Sequence, residues 1–248
     1  MLAINNILSE FDAISLGEMD RVALMNRVDT KYVFSEDILN EVLKKIKDDY
    51  FVLEVDNIRL NSYQSLYFDT KDFKFYYQHH NGKTNRTKVR YREYMDSGLC
   101  FLEVKQKNNK GVTNKKRMLV PKINQELSGE QKEYIRNFID YDIEAKHLNT
   151  FHRITLVSKK EKERLTIDVG VKFSVGDYEA QLENIVIAEV KQEKVNYASP
   201  FIRFLKVKHI NPFRISKYCM ATASLFPHLK QNNFKKKFLR INKIKTND

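Results

Sequence analysis

The sequence predicts an α+β fold: an antiparallel β-barrel tunnel with helices packed on its outside. Three observations lead there. First, several segments alternate charged and apolar residues with a period of two, the spacing by which a strand sends successive side chains to opposite faces. Second, the charged face is mostly cationic: Arg86, Lys88, Arg90 and Arg92 share one side of a strand, and Lys105 and Lys107 share another with Glu103. Third, helical stripes are interleaved with these strands and no linker separates them, which is the α+β pattern.

The elements follow in order. Leu2, Ile4, Ile7, Leu8 and Phe11 form a helical stripe, and Val28 to Phe34 reads as a strand. Ser35 then caps a helix carrying Ile38, Leu39, Val42, Leu43 and Ile46. Phe51 to Asp56 and Tyr63 to Thr70 are strand-like, and Asp72 to His80 is a short aromatic helix. Three charged strands around Arg90, Lys105 and Arg117 are broken by hairpin signals at Asp96–Gly98 and Asn108–Gly111. Gln131 to Ile139 is helical. Phe151 to Lys159, Arg164 to Val175 and Ile185 to Glu193 are strands, with Arg164, Thr166, Asp168 and Lys172 on one face of the second. Phe201 to Val207 and Ser216 to Phe226 are helices either side of Asn211-Pro212. Residues 1–228 therefore read as a single domain, and 229–248 as a basic, loosely attached tail.

Composition narrows the class. A chain of 248 residues with 42% hydrophobic and 12% aromatic residues has ample core. Of the formal charge of +12, half sits in the last twenty residues, where seven Lys or Arg face one Asp. The basicity of the body therefore lies in its arrangement on strands. Cys100 and Cys219 have no metal-site spacing and read as buried thiols in a reducing compartment. No apolar run approaches the ~20 residues that span a bilayer, and no signal segment follows Met1, so a cytoplasmic setting is expected.

A charged strand face ordinarily lies in water, where signs mix. Here cations dominate, and a barrel with its apolar face under helices would turn them inward around a solvent-filled tunnel. Clustered positive charge repels itself, so an anion is the expected occupant. Asn81-Gly82-Lys83-Thr84 fails as a P-loop because the required first glycine would fall at Tyr77. His79 and His80 are adjacent and cannot share a helix face, which argues against a metal pair.

What remains is chemistry carried by Lys, Arg and carboxylates, and that suits phosphoryl transfer. Arg gives phosphate bidentate contacts and Lys gives it point charge. A divalent metal bridging phosphate oxygens needs one or two carboxylates, for which Glu103, Asp168 and Glu189 are the candidates. Each could instead pair with a Lys or Arg across strands.

Arg27-x-Asp29-x-Lys31-Tyr32, Tyr67-Phe68-Asp69-Thr70, Lys88-Val89-Arg90-Tyr91-Arg92-x-Tyr94 and Leu102-Glu103-Val104-Lys105-x-Lys107 occur in that order. Lys115-x-Arg117, Glu189-Val190-Lys191 and Ser216-Lys217-Tyr218 follow. The series, from about Asn26 to Phe226, resembles VTC-type polyphosphate polymerase domains of the triphosphate tunnel metalloenzymes, relatives of the CYTH domains. The resemblance implies a tunnel that moves the γ-phosphate of ATP onto inorganic polyphosphate with Mn²⁺ or Mg²⁺. It gives Lys31, Arg90, Arg92 and Glu189 the catalytic roles. Lys88, Lys105, Lys107, Lys115, Arg117, Arg153, Arg164, Lys191, Ser216 and Lys217 become substrate ligands, and Glu189 with Glu103 the metal ligands. Where the hydrolytic CYTH relatives carry E-x-E-x-K, this chain has Arg27-x-Asp29-x-Lys31. One carboxylate has become a cation, which favours a longer polyanion over a metal-rich hydrolase. Two other readings stay open: a tunnel phosphohydrolase acting on triphosphate or nucleoside triphosphates, and a non-catalytic polyphosphate- or nucleic-acid-binding module, with nucleic acid reached through the basic tail.

Overall fold

The computed structural model describes residues 2–21 and 28–246. In chain order the elements are α1 (Leu2–Leu8), β1 (Asp12–Ile14), α2 (Leu16–Arg21), β2 (Val28–Phe34), α3 (Glu36–Ile46), β3 (Tyr50–Leu53), β4 (Asn61–Asp69) and α4 (Lys74–His80). There follow β5 (Arg86–Tyr94), β6 (Leu99–Lys107), β7 (Thr113–Val120), α5 (Gly129–Arg136), β8 (Glu144–Ser158), β9 (Glu163–Val175), β10 (Tyr178–Gln181) and β11 (Val186–Gln192). The chain closes with α6 (Pro200–Val207), α7 (Lys217–Leu225) and α8 (Lys235–Lys245). Arg27, quoted in the first sequence motif, lies outside the described residues.

One sheet runs in the order β2-β11-β9-β8-β4-β5-β6-β7. Among the described residues no ladder joins β2 to β7, so the sheet is curled rather than closed. The curl is nonetheless deep. Lys105 on β6 lies in the electrostatic field of Glu189 on β11 and Asp29 on β2, which come from the far end of the strand order.

The outer face of the sheet is dry. Leu39, Val42, Leu43 and Ile46 of α3 are almost wholly buried against Leu156, Leu165 and Ile167, with α1 and α6 beside them. Each such side chain withdrawn from water contributes roughly 1.5–3 kcal/mol. On the other half, Val89, Tyr91, Leu102 and Val104 are covered by Ile135 of α5. Ser128 caps α5 with a reciprocal capping box to Gln131.

The inner face changes character along the tunnel because of a bulge. The β8–β9 register shifts between Thr150 and His152, beside Gly170, whose φ of +60° is a left-handed conformation that glycine adopts without strain. Up to Asp168 the even-numbered residues of β9 face inward. Beyond the bulge Val171 and Phe173 do so, and pack with Met220 and Ala221 of α7. Lys172, expected on the face of Asp168, is consequently exposed outside. Alternation alone could not register that change of face.

The last residues are another correction. Rather than a loose tail, 229–248 contains α8, with Phe234 and Ile241 buried and Phe238 and Ile244 packed against the body. These apolar residues fall at helical spacing, a stripe masked in the sequence by the lysines between them.

Candidate functional site

Three carboxylates and the cations around them organise the lumen. Antiparallel register sets Glu189 opposite Lys31 and, on its other side, Thr166. Lys31 Nζ donates to Glu189 Oε1 at 2.8 Å, and Lys191 Nζ lies 3.0 Å from Oε2. Lys191 also donates to Thr166 Oγ1 at 3.0 Å. Burial disfavours the charge of Glu189, but Lys191 and Lys31 outweigh it and hold the carboxyl well below its usual range.

Glu103 is opposite Arg90 on one side and Arg117 on the other. Its Oε2 accepts from Arg90 Nε at 2.8 Å and Nη2 at 2.6 Å, while Lys115 pairs with Oε1. The side chain is 2% exposed. This is an ion-pair arrangement, and it argues against the metal role that the sequence gives Glu103. Asp168 has the same character. Arg153 donates to its two oxygens at 2.6 and 2.9 Å, and Lys217, entering from α7, pairs with Oδ2. Burial opposes the ionised state of both acids, yet Arg90 beside Glu103 and Arg153 beside Asp168 hold them depressed.

Other cations in the lumen have no carboxylate. Among the described residues, Lys88, Arg92 and Lys105 make no ion pair. Lys88 Nζ donates to Ser216 Oγ at 3.0 Å, and Ser216 caps α7 by accepting from Cys219 N. Arg92 is buried over the stacked rings of Tyr63 and Phe151, which Arg153 shares. Lys105 is exposed to the lumen, and desolvation with the charge of Lys88 pushes it down to about 8. Desolvation takes Lys217 to about 8 as well, against the pull of Asp168.

The predicted ligands do not all converge. Lys31, Lys88, Arg90, Arg92, Lys105, Arg153, Glu189, Lys191, Ser216 and Lys217 face the lumen together. Arg117 sits on the outer strand with its guanidinium 4.6 Å over Phe101, and Arg164 donates to the carbonyl of Met19 at 3.0 Å. Lys107 lies at the tunnel end in a cleft with Arg86. Lys115, 41% exposed on the edge strand opposite Lys105, reaches the lumen through its pairing with Glu103.

Sequence reasoning missed the aromatic lining. Tyr67 OH accepts from Arg90 Nη1 at 2.9 Å, and the field of Arg90 and its neighbours outweighs burial to bring this phenol down to about 8. The signal was available, since Tyr63, Ser65 and Tyr67 alternate as the charged strands do. Also missed was Asp69, which accepts from the backbone N–H groups of Thr70, Phe75 and Tyr76 and from Tyr218 OH. It ties β4 to α4 and to the residue beside Lys217.

Such a lumen neutralises its acids within itself and leaves cations over. No group of three or more His, Cys, Asp or Glu is placed to hold a metal among the described residues. One ionised carboxylate open to a cation-lined lumen is still enough for a hard divalent ion, because Mg²⁺ takes one or two carboxylates and fills the rest of its shell with phosphate oxygens and water. All three acids are paired with cations, and exposure separates them: Glu189, held by Lys31 and Lys191, keeps 19% of its side chain open toward the lumen and fits that description, whereas Glu103 and Asp168 keep 2% and 5%.

The fold is shared with proteins of known structure at low sequence identity. The chain is similar in structure to a candidate adenylate cyclase from Bacillus halodurans, at 15% identity and a TM-score of 0.51, covering 81% of this chain and 97% of that one. A candidate adenylyl cyclase from Hippeastrum, described as having a dominant triphosphatase activity, is similar at 14% identity and a TM-score of 0.51, covering 81% and 96%. No curated protein matches the sequence. The VTC domain matches residues 26–226, and the chain belongs to that family.

Proposed function

We propose that the protein is an ATP-dependent polyphosphate polymerase, which transfers the γ-phosphate of ATP to a growing inorganic polyphosphate chain inside the tunnel. The observation that carries this reading is the set of lumen cations, Lys88 and Arg92 of β5 and Lys105 of β6, that have no carboxylate partner among the described residues. A polyanion with a charge on every unit matches that excess.

Arg90 and Arg92 stand two residues apart, ~7 Å along β5, a spacing suited to neighbouring phosphates. Glu103 and Tyr67 fix the guanidinium of Arg90, so little side-chain entropy remains to be lost on binding. Lys31, Lys191 and Lys217 offset charge on the transferring group, with no covalent protein intermediate. The terminal oxygen of the chain attacks the γ-phosphorus, the bond to the β–γ bridging oxygen breaks, and ADP leaves with that electron pair. Glu189 would hold a divalent ion, Mn²⁺ or Mg²⁺, which when bound supplies further charge neutralisation at phosphate oxygens. No helix among the described residues is long and apolar enough to cross a membrane, and a cytoplasmic setting with access to ATP belongs to the same reading.

A tunnel phosphohydrolase is the second reading, favoured by the triphosphatase activity in the description of the Hippeastrum protein. Purified protein given ATP and Mn²⁺ separates the two. Polymer that stains with a polyphosphate dye supports synthesis, whereas orthophosphate release without polymer refutes it.

A further inference from the structure

The cationic row of the lumen does not stop at the substrate ligands. Along the β5–β6 ladder, Arg90 is opposite Glu103, Lys88 opposite Lys105, and Arg86 opposite Lys107. Each rung is ~7 Å beyond the last. The outermost rung opens into a cleft of about 400 Å³ whose lining includes Arg86, Lys107, Gln78, Asn85, Gln106 and Asn114 beside the apolar Val112, with no carboxylate among its lining residues. Every one of these six polar side chains has a hydrogen-bond donor, which is what phosphate oxygens require.

Helix α8, beyond the end of the family match, adds to this mouth. Asn233 donates from its backbone N–H to His80 Nε2 and from its side chain to the carbonyl of His80. Phe234 packs edge-on against Tyr76, His79 and His80. The start of α8 is thereby fastened to α4, and Lys237 stands over the Phe234 ring at 5.3 Å. Lys237 lies in the field of Arg86 and Arg214, and His79 in the field of Lys88, Arg86, Lys237 and Lys107. His79 Nδ1 is buried without a hydrogen-bond partner. Among the described residues none of Arg86, Lys107, Arg214 and Lys237 makes an ion pair. Arg86, Lys107 and Lys237 thus act together on the neutral imidazole of His79, with Arg214 near Lys237, and an anion bound among them would relieve their mutual repulsion.

We propose that this cleft, with Lys237 of α8 and Arg214 at its rim, is a second binding site that continues the tunnel and holds the condensed-phosphate chain outside it. The site rests on the polyphosphate reading of the tunnel, but its own prediction concerns chain length. Tripolyphosphate is short enough to be held by the lumen alone. A long chain occupies lumen and cleft at once, and gains affinity from the second set of contacts.

The test compares binding of tripolyphosphate and of long-chain polyphosphate, without metal or ATP, to the full chain and to a triple variant, Arg86→Gln, Arg214→Gln and Lys237→Gln. Thermal melting confirms that the variant folds, and Lys237→Gln alone is the fallback if it does not. The expected result is long-chain affinity at least about tenfold weaker in the triple variant, with tripolyphosphate affinity nearly unchanged. Long-chain affinity that is unchanged overturns the proposal. Equal losses for both ligands also overturn it, since the residues would then belong to the lumen site. A single-stranded oligonucleotide that competes as well as polyphosphate of equal charge overturns the ligand assignment in favour of nucleic acid. If wild-type protein binds long chains through these three residues but does not bind tripolyphosphate, the tunnel reading fails and the cleft stands.

Discussion

Glutamine at position 103 separates two roles for that residue, neutralising Arg90 or ligating metal. The side chain is 2% exposed, and Arg90, 20% exposed, approaches it through two nitrogens. Removing one partner of a buried pair costs about 3–5 kcal/mol, because the other charge stays behind. The Lys115 arm, 41% exposed, adds little to this, so the lower end, about 3 kcal/mol, applies. For a chain of this size that corresponds to a melting temperature lower by about 6–12 °C. Tripolyphosphate should recover more of that loss in Glu103→Gln than it adds to the wild type, because the anion takes over the neutralisation. pH supplies an independent check. The folded carboxyl has a depressed pKa, so its stabilisation is complete above the unfolded carboxylate range and is lost as pH falls through the folded value. The gap between wild type and variant should therefore narrow in acid. Thermal and urea unfolding across pH, with and without tripolyphosphate, give every quantity needed. An unchanged melting temperature at neutral pH, or a smaller anion effect in the variant, would refute the reasoning.

Four further outcomes are expected. Glu189→Gln should fold, keep metal-independent tripolyphosphate binding and lose Mn²⁺-dependent synthesis; full activity at low Mn²⁺, measured by polymer staining, would remove Glu189 from the metal. Lys105 and Lys217 titrate at about 8, so tripolyphosphate affinity should fall between pH 7 and 9 as these charges are lost. The ligand-free protein should show the opposite sign, since a lysine with a depressed pKa binds more protons unfolded and stability rises with pH from about 8 toward the unfolded value; calorimetry and melting curves over that range test both. Gly170→Ala should cost about 1–2 kcal/mol in urea unfolding, because φ is +60° there and the added carbon would lie 3.5 Å from the His152 ring.

Much of the site was legible. Period-two alternation placed Lys88, Arg90 and Arg92 on one face, and register then brought Glu103 opposite Arg90 and Lys31 opposite Glu189. The strand β2 falls at the limits the pattern gives, Val28–Phe34. Other elements were hidden. Residues Glu144–Thr150 extend β8 upstream of the predicted start, because His147 and Asn149 are polar yet buried, with His147 held between Asn149 Oδ1 and Thr222 Oγ1. The short β1 gains its hydrogen bonds only by pairing with β3, and no local pattern announces it.

Sequence by itself determined which residues could share a face and what sign that face would carry, because strand periodicity and side-chain charge are local properties. It could not say which cations would be spent on carboxylates and which left for phosphate. That division depends on register between strands far apart in the chain, on the bulge at Gly170 that turns Lys172 outward, and on α7 delivering Lys217 to Asp168. It also depends on burial, since a carboxylate 2% exposed between two cations and one 19% exposed to the lumen are the same residue type in the sequence. Only the tertiary structure sets the solvent each charge keeps, and so decides whether a glutamate braces an arginine or remains open to a metal.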